Sequence, residues 1–129
     1  MCLKSETIRS KKATSDIVCY KVLLKKSHSL VSPFYHNFKW KFREIVEPRD
    51  KAVYRFISKH IEDGYLHTFS SIYGAEDMVK DSSMRDHLRI YKCIIPEGTY
   101  YYKGIQSGGR YGYASKKLKL VKLVKKEKI

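Results

Sequence analysis

The chain of 129 residues is 43% hydrophobic and carries 27 Lys/Arg against 13 Asp/Glu, for a net charge of +14. That length suits one domain able to bury its own core, and the longest apolar runs fall far short of the roughly 20 residues that span a bilayer. Cys2, Cys19 and Cys93, an odd number without Cys-x-x-Cys spacing, argue against a disulfide framework and a zinc site, and the N-terminus shows no signal-peptide apolar stretch; both features point to a reducing cytoplasm.

The charge is uneven. Residues 1–26 carry seven Lys/Arg against two acids and residues 114–129 seven Lys against one, leaving only +3 for the middle. Such clustering fits a phosphate-bearing partner, nucleic acid or nucleotide, although lysine-rich faces also serve solubility alone.

In chain order, residues 1–16 read as a flexible basic arm, with Leu3 and Ile8 its only large apolar residues. Residues 17–124 are expected to form a single α+β domain, mainly an antiparallel sheet with one or two packed helices, and 125–129 a basic tail. Residues 17–24 make a strand apolar on both faces except at Lys21, whose ammonium must either snorkel to an edge or enter a polar cleft. Cys19 and Cys93 read as small buried hydrophobes. Residues 34–46 alternate, with Phe34, His36, Phe38, Trp40 and Phe42 on one face, so Trp40 is expected in the core.

Asp50 as N-cap, with Val53, Phe56, Ile57, His60 and Ile61 at helical spacing and Gly64 as a stop, predicts a helix over 51–62. A short strand is expected at 65–69. A second helix through Ala75, Met78 and Val79 follows, acidic in its first turn. The strongest strand–turn–strand signal is 87–103, where Pro96-Glu97-Gly98 separates two β-favouring runs and predicts a hairpin. Residues 103–112, with four glycines, read as a mobile loop, and 116–124 as a closing strand.

No Ser/His/Asp order, paired carboxylates, Cys/His signature or phosphate-cradling glycine motif stands out, so no catalytic residue, metal ligand or cofactor is assigned. His67, in a short strand that exits into Ser70-Ser71, is the histidine best placed to feed a cleft.

Ile17-Val18-Cys19-Tyr20-Lys21-Val22-Leu23, Gly64-Tyr65-Leu66-His67-Thr68-Phe69 and Lys92-Cys93-Ile94-Ile95-Pro96-Glu97-Gly98-Thr99-Tyr100 resemble a family of small proteins from gut Bacteroides-type bacteria and their phages. That resemblance implies a bacterial cytoplasm and no particular activity. The order of a Tyr-Lys strand, a helix, a Gly-x-x-His-x-Phe-Ser strand and an Ile-Pro-x-Gly turn is also similar to ADP-ribosyltransferase-like folds. This likeness implies that Lys21 stands where such enzymes grip the cofactor, and Thr68 to Ser71 where they keep a Ser-Thr-Ser strand. Residues 112–119 lack the acid those enzymes use, which implies binding without transfer.

The expected function is therefore a non-enzymatic protein binding a phosphate-bearing partner through Lys116, Lys117, Lys119, Lys122, Lys125 and Lys126. The alternatives are an enzyme of nucleotide or ADP-ribose chemistry with ligand residues Lys21, His67, Thr68, Ser70 and Ser71, and a virion or host-interaction component. A pocket uniting Lys21, His67 and Ser70 would favour the enzyme; a flat basic face would favour the binding protein.

Overall fold

The computed structural model describes residues 3–5, 10–26, 29–32, 35–40, 45–46, 54–55, 60–61, 65–83, 85–106 and 109–126. Among these residues the fold is a mainly antiparallel sheet with a single α-helix. The principal strands are β3 (Ile17–Lys26), β9 (Leu66–Phe69), β10 (Leu88–Ile95), β11 (Tyr100–Gln106), β12 (Tyr111–Ser115) and β13 (Leu118–Lys126). Shorter strands are β1 (Leu3–Ser5), β2 (Lys11–Lys12), β4 (Ser29–Ser32), β5 (Tyr35–Trp40), β6 (Ile45–Val46), β7 (Tyr54–Arg55) and β8 (His60–Ile61).

The strand order β6-β13-β10-β3-β9-β12-β11-β1-β8-β7 resolves into two walls. β3 and β9 share one register pair, Tyr20 opposite Phe69, whereas β3 pairs with β10 along eight positions. The single pair is a corner. Ser115 and Leu118 are joined by two residues, yet β12 and β13 have β9, β3 and β10 between them. In a flat sheet they would stand about 19 Å apart, beyond the about 11 Å that three Cα–Cα steps can reach. The sheet must therefore fold over at the corner, which brings one face of each wall inside.

The inner core holds Cys19, Leu23, Leu66, Tyr91, Cys93, Ile95, Leu118 and Leu120. Both cysteines are buried, as expected. On the outer face of β3, β9 and β10, Val22, Leu24, Phe69, Leu88 and Ile90 pack under Ala75 and Val79 of α1 (Ile72–Asp81). α1 starts where Gly74 N–H donates to Ser71 Oγ at 3.4 Å, which satisfies one of its free amides. With Ser71 as cap, Glu76 and Asp77 fall beyond the first turn, so the acidic first turn expected from sequence is not formed.

Pro96-Glu97-Gly98 does turn, with Thr99 N–H donating to Pro96 O at 3.1 Å and Gly98 at φ 86°. It does not make a hairpin. β10 is flanked by β3 and β13, and β11 by β12, β1 and β2, so the turn carries the chain from one wall to the other. The 13–16 segment pins it: Gly98 N–H donates to Ala13 O at 2.8 Å and Glu97 N–H to Asp16 Oδ1 at 2.9 Å.

The helix expected over 51–62 is not formed, because its described residues are the paired strands β7 and β8, with β8 on β1. Aromatic and β-branched residues serve a hairpin as well as a helix, and pairing beside the buried Leu3 decides between them. The amino-terminal segment likewise contributes β1 and β2, both paired to β11. The glycine-rich stretch is mostly strand, with Gly104 opposite Gly112 and Gly109 at φ 79° in the turn. The core position expected for Trp40 lies outside the described side chains; its backbone pairs with Leu30.

β13 shows how a pattern with period three lies in a sheet. Lys-Leu-Val-Lys-Leu-Val cannot alternate strictly, but its register with β10 shifts twice, leaving Val121 and Val124 without partners. Each bulge absorbs one residue, so Leu118, Leu120 and Leu123 share the inner face and Lys119 and Lys122 the outer one.

Gly112 offers a test of the packing. The Gln106 side chain crosses it to donate through Nε2 to Thr68 O, and a Cβ there would collide with both partners. Gly112→Ala should destabilise the fold by about 1–3 kcal/mol, the usual cost of overpacking, as measured by urea unfolding.

Candidate functional site

Lys21 occupies the corner, on the inner face beside Cys19 and Leu23 and opposite Tyr91 of β10. Ser70 N–H donates to Tyr111 O at 3.1 Å, so alternate residues of β9 bond to β12, leaving His67 and Phe69 to bond toward β3. Phe69 meets Tyr20 there. Beyond that pair β3 peels away, and Lys21 Nζ donates to His67 O at 2.7 Å in place of a backbone amide. Lys21 is only 9% exposed, and burial pulls its pKa from the ordinary 10.5 down to about 8, opposed in part by the neighbouring Cys93 and Cys19. The lysine neither snorkels to an edge nor lines an open cleft: it closes the ladder. Burial likewise pushes the Cys93 thiol well above its usual range.

The ligand residues read from sequence do not converge on one pocket. Lys21 meets His67 through the backbone, while strand alternation puts the His67 side chain on the opposite face with Phe69. Thr68 is on the inner face opposite Tyr113, its Oγ1 buried without a hydrogen-bond partner. Ser70 Oγ donates to Tyr111 O at 3.3 Å, and Ser71 caps α1.

The basic residues separate into different roles. Lys116 Nζ stands 4.3 Å from the centroid of the Tyr65 ring, a cation–π contact at the crossing between the walls. Lys117 is exposed in that crossing, where its carbonyl accepts from Ser115 Oγ at 3.1 Å. Lys119 and Lys122 lie on the outer face of β13, and Lys125 and Lys126 stand opposite Ile90 and Arg89 in register. Lys122 is directly opposite Lys92, a like-charge pair.

One outer row runs Val18, Ile94, Lys119, Ile45 across four strands, and the next runs Tyr20, Lys92, Lys122. α1 packs on Val22 and Ile90, with Tyr20 against the same cluster, while Val18 and Ile45 in the other row are 45% and 56% exposed and Lys122 is exposed. Lys92 was not singled out from sequence, because its position opposite Lys122 depends on the bulges of β13.

Tyr65 and Tyr102 meet edge to face, centroids 5.5 Å apart, and burial together with Tyr102 pushes the Tyr65 hydroxyl up to about 12. Burial also raises Tyr91 and Tyr113. Among the described residues no cluster of three or more His, Cys, Asp or Glu could hold a metal ion, and no helix is long and apolar enough to cross a membrane. Comparison with protein-family models, with curated proteins and with solved structures finds no match to this chain.

Lys21 gives the stability a defined pH dependence. Its folded pKa near 8 lies below the unfolded value, so between them the unfolded chain binds more protons and stability rises with pH. The slope should be about half of 1.4 kcal/mol per pH unit at pH 8, where the folded ammonium is half titrated, and approach that full value between pH 9 and 10. From pH 9 upward Cys93, and from pH 10 the tyrosines, act oppositely, because their folded forms hold protons that the unfolded chain releases. Urea unfolding midpoints should therefore climb from pH 8 to 9 in the wild type and fail to climb in Lys21→Met, where only the opposing Cys93 effect remains.

Proposed function

We propose that this is a non-enzymatic binding protein whose sheet takes a phosphate-bearing partner, with nucleic acid as the favoured class. One observation carries the reading: β3, β9, β10, β11, β12 and β13 contain ten Lys/Arg and no Asp or Glu. A solubilising surface has no need of such segregation, since interspersed charges of both signs serve it better. Lys92 opposite Lys122 destabilises the isolated sheet, and a polyanion laid across the outer rows would offset that repulsion.

The separation of the Lys21, His67 and Ser70 side chains supports binding over the nucleotide-enzyme alternative. Affinity on this reading is mainly electrostatic and tolerant of sequence. Its logarithm should fall linearly with log salt, at about −0.9 per phosphate neutralised on duplex DNA and about −0.7 on a single strand. Lys92→Gln, Lys119→Gln and Lys122→Gln combined should weaken binding of a labelled oligonucleotide and flatten the salt slope, with the circular dichroism spectrum unchanged. Absence of binding at low salt would refute the reading.

A further inference from the structure

The inner face of β11 and β12 extends past the part covered by the opposite wall. Register places Lys11, Tyr101 and Ser115 in one row there, Lys103, Tyr113 and Thr68 in the next, and Ile105 beside Tyr111 in a third. Thr68 and Ser115 are buried against the core, Tyr101 and Tyr113 are half-buried, and Lys11 and Lys103 are exposed. Tyr111 is 58% exposed and Ile105 40%. The Tyr101 and Tyr113 rings meet edge to face, centroids 5.8 Å apart at 72°.

Three tyrosines thus run diagonally over two neighbouring strands, each with a residue directly opposite at about 4.5–5.5 Å between Cβ atoms. Two of those opposite residues are lysines. We propose that this surface is a stacking platform for single-stranded nucleic acid, in which the exposed Tyr111 ring and the open edges of Tyr113 and Tyr101 receive bases while Lys103 and Lys11 receive the adjoining phosphates. The proposal rests on the phosphate-binding reading above and adds which nucleic acid is taken and where its bases go.

The chemistry of the rows discriminates among ligands. Aromatic side chains also receive neutral sugars, but sugar hydroxyls call for carboxylate and amide partners, and these rows contain none. Gln106, on the same strand, faces away from these rows by alternation, and its amide is turned across Gly112 to Thr68 O. Duplex DNA keeps its bases stacked inside and offers these rings only its backbone, so the platform distinguishes single strands from duplexes, which lysines alone do not.

The test compares three labelled polyanions at one salt concentration: oligothymidylate, a duplex of equal length, and polyphosphate, which has phosphates and no bases. Wild type should bind oligothymidylate most tightly. Tyr111→Ser should weaken oligothymidylate binding by about tenfold, the scale of one lost base–aromatic stack, and leave polyphosphate binding unchanged. Tyr111→Phe should restore it. Equal affinity of wild type for oligothymidylate and polyphosphate, or an equal loss for both in Tyr111→Ser, would overturn the platform while leaving phosphate binding intact. Failure to bind any of the three would overturn both. Because Tyr111 is mostly exposed, the serine variant should keep the wild-type circular dichroism spectrum and unfolding midpoint, so that a loss of binding reads as a loss of stacking.

Discussion

The molecule depends on how two walls of sheet are joined where backbone pairing nearly stops. Among the described residues Tyr20 opposite Phe69 is the only register pair between β3 and β9, and the next carbonyl of β9 directed toward β3, that of His67, accepts from Lys21 Nζ in place of a strand amide. An unpaired buried carbonyl costs about 1–3 kcal/mol, and the Lys21 ammonium removes that cost at the expense of its own desolvation. A methionine at position 21 would fill similar space without this hydrogen bond; a shorter polar residue would not reach the carbonyl. The short β12–β13 connection imposes the bend, and the Lys21 side chain bridges the gap in pairing that the bend opens.

Much of the strand content was legible in the residues. Leu88–Ile95 fills the first β-favouring run of the 87–103 segment, and Ile17–Lys26 and Leu66–Phe69 differ from their expected spans only at their ends, because β-branched and apolar runs state local preference strongly. Partner choice was not legible. The Pro96-Glu97-Gly98 turn has the local chemistry of a hairpin, yet both edges of β10 are taken by strands distant in sequence, and the turn is held by Ala13 and Asp16. The 51–62 segment failed for a related reason: its apolar spacing suited a helix, and pairing with β1 overrode it.

The candidate site divides in the same way. The resemblance to ADP-ribosyltransferase-like folds, with the place of His67 near the end of a short strand, made Lys21, His67, Thr68, Ser70 and Ser71 look like one constellation. What sequence cannot supply is the face, and a shift of one residue in a strand sends a side chain to the other side of the sheet. Lys21 and Thr68 face inward, His67 outward, and the two serines serve a backbone carbonyl and a helix start. The tyrosine rows were hidden for the converse reason. Tyr101, Tyr111 and Tyr113 are plain in the sequence, but only the register of β11 with β12 gathers them on one open face.

Net charge overstates what a partner would meet. Lys21 is consumed by the corner, Lys116 by the Tyr65 ring, and Arg110 by an ion pair of 2.6 Å with Asp81 that ties the end of α1 to the β11–β12 turn. Among the described residues, two sets of lysines stand on opposite faces of the sheet. Lys92, Lys119 and Lys122 lie beside Val18, Ile94 and Ile45 on the outer face, where among the described register partners Tyr20, half-buried, is the one ring, and this suits backbone phosphates. Lys11 and Lys103 alternate with tyrosines on the inner face. A lysine alone is a strongly hydrated point charge that holds any phosphate equally well; beside a ring that a base can cover, it fixes where along the strand that phosphate sits. On the proposed nucleic-acid reading the two faces divide the work by chemistry, one carrying long-range attraction that falls with salt, the other short-range stacking that salt leaves largely untouched.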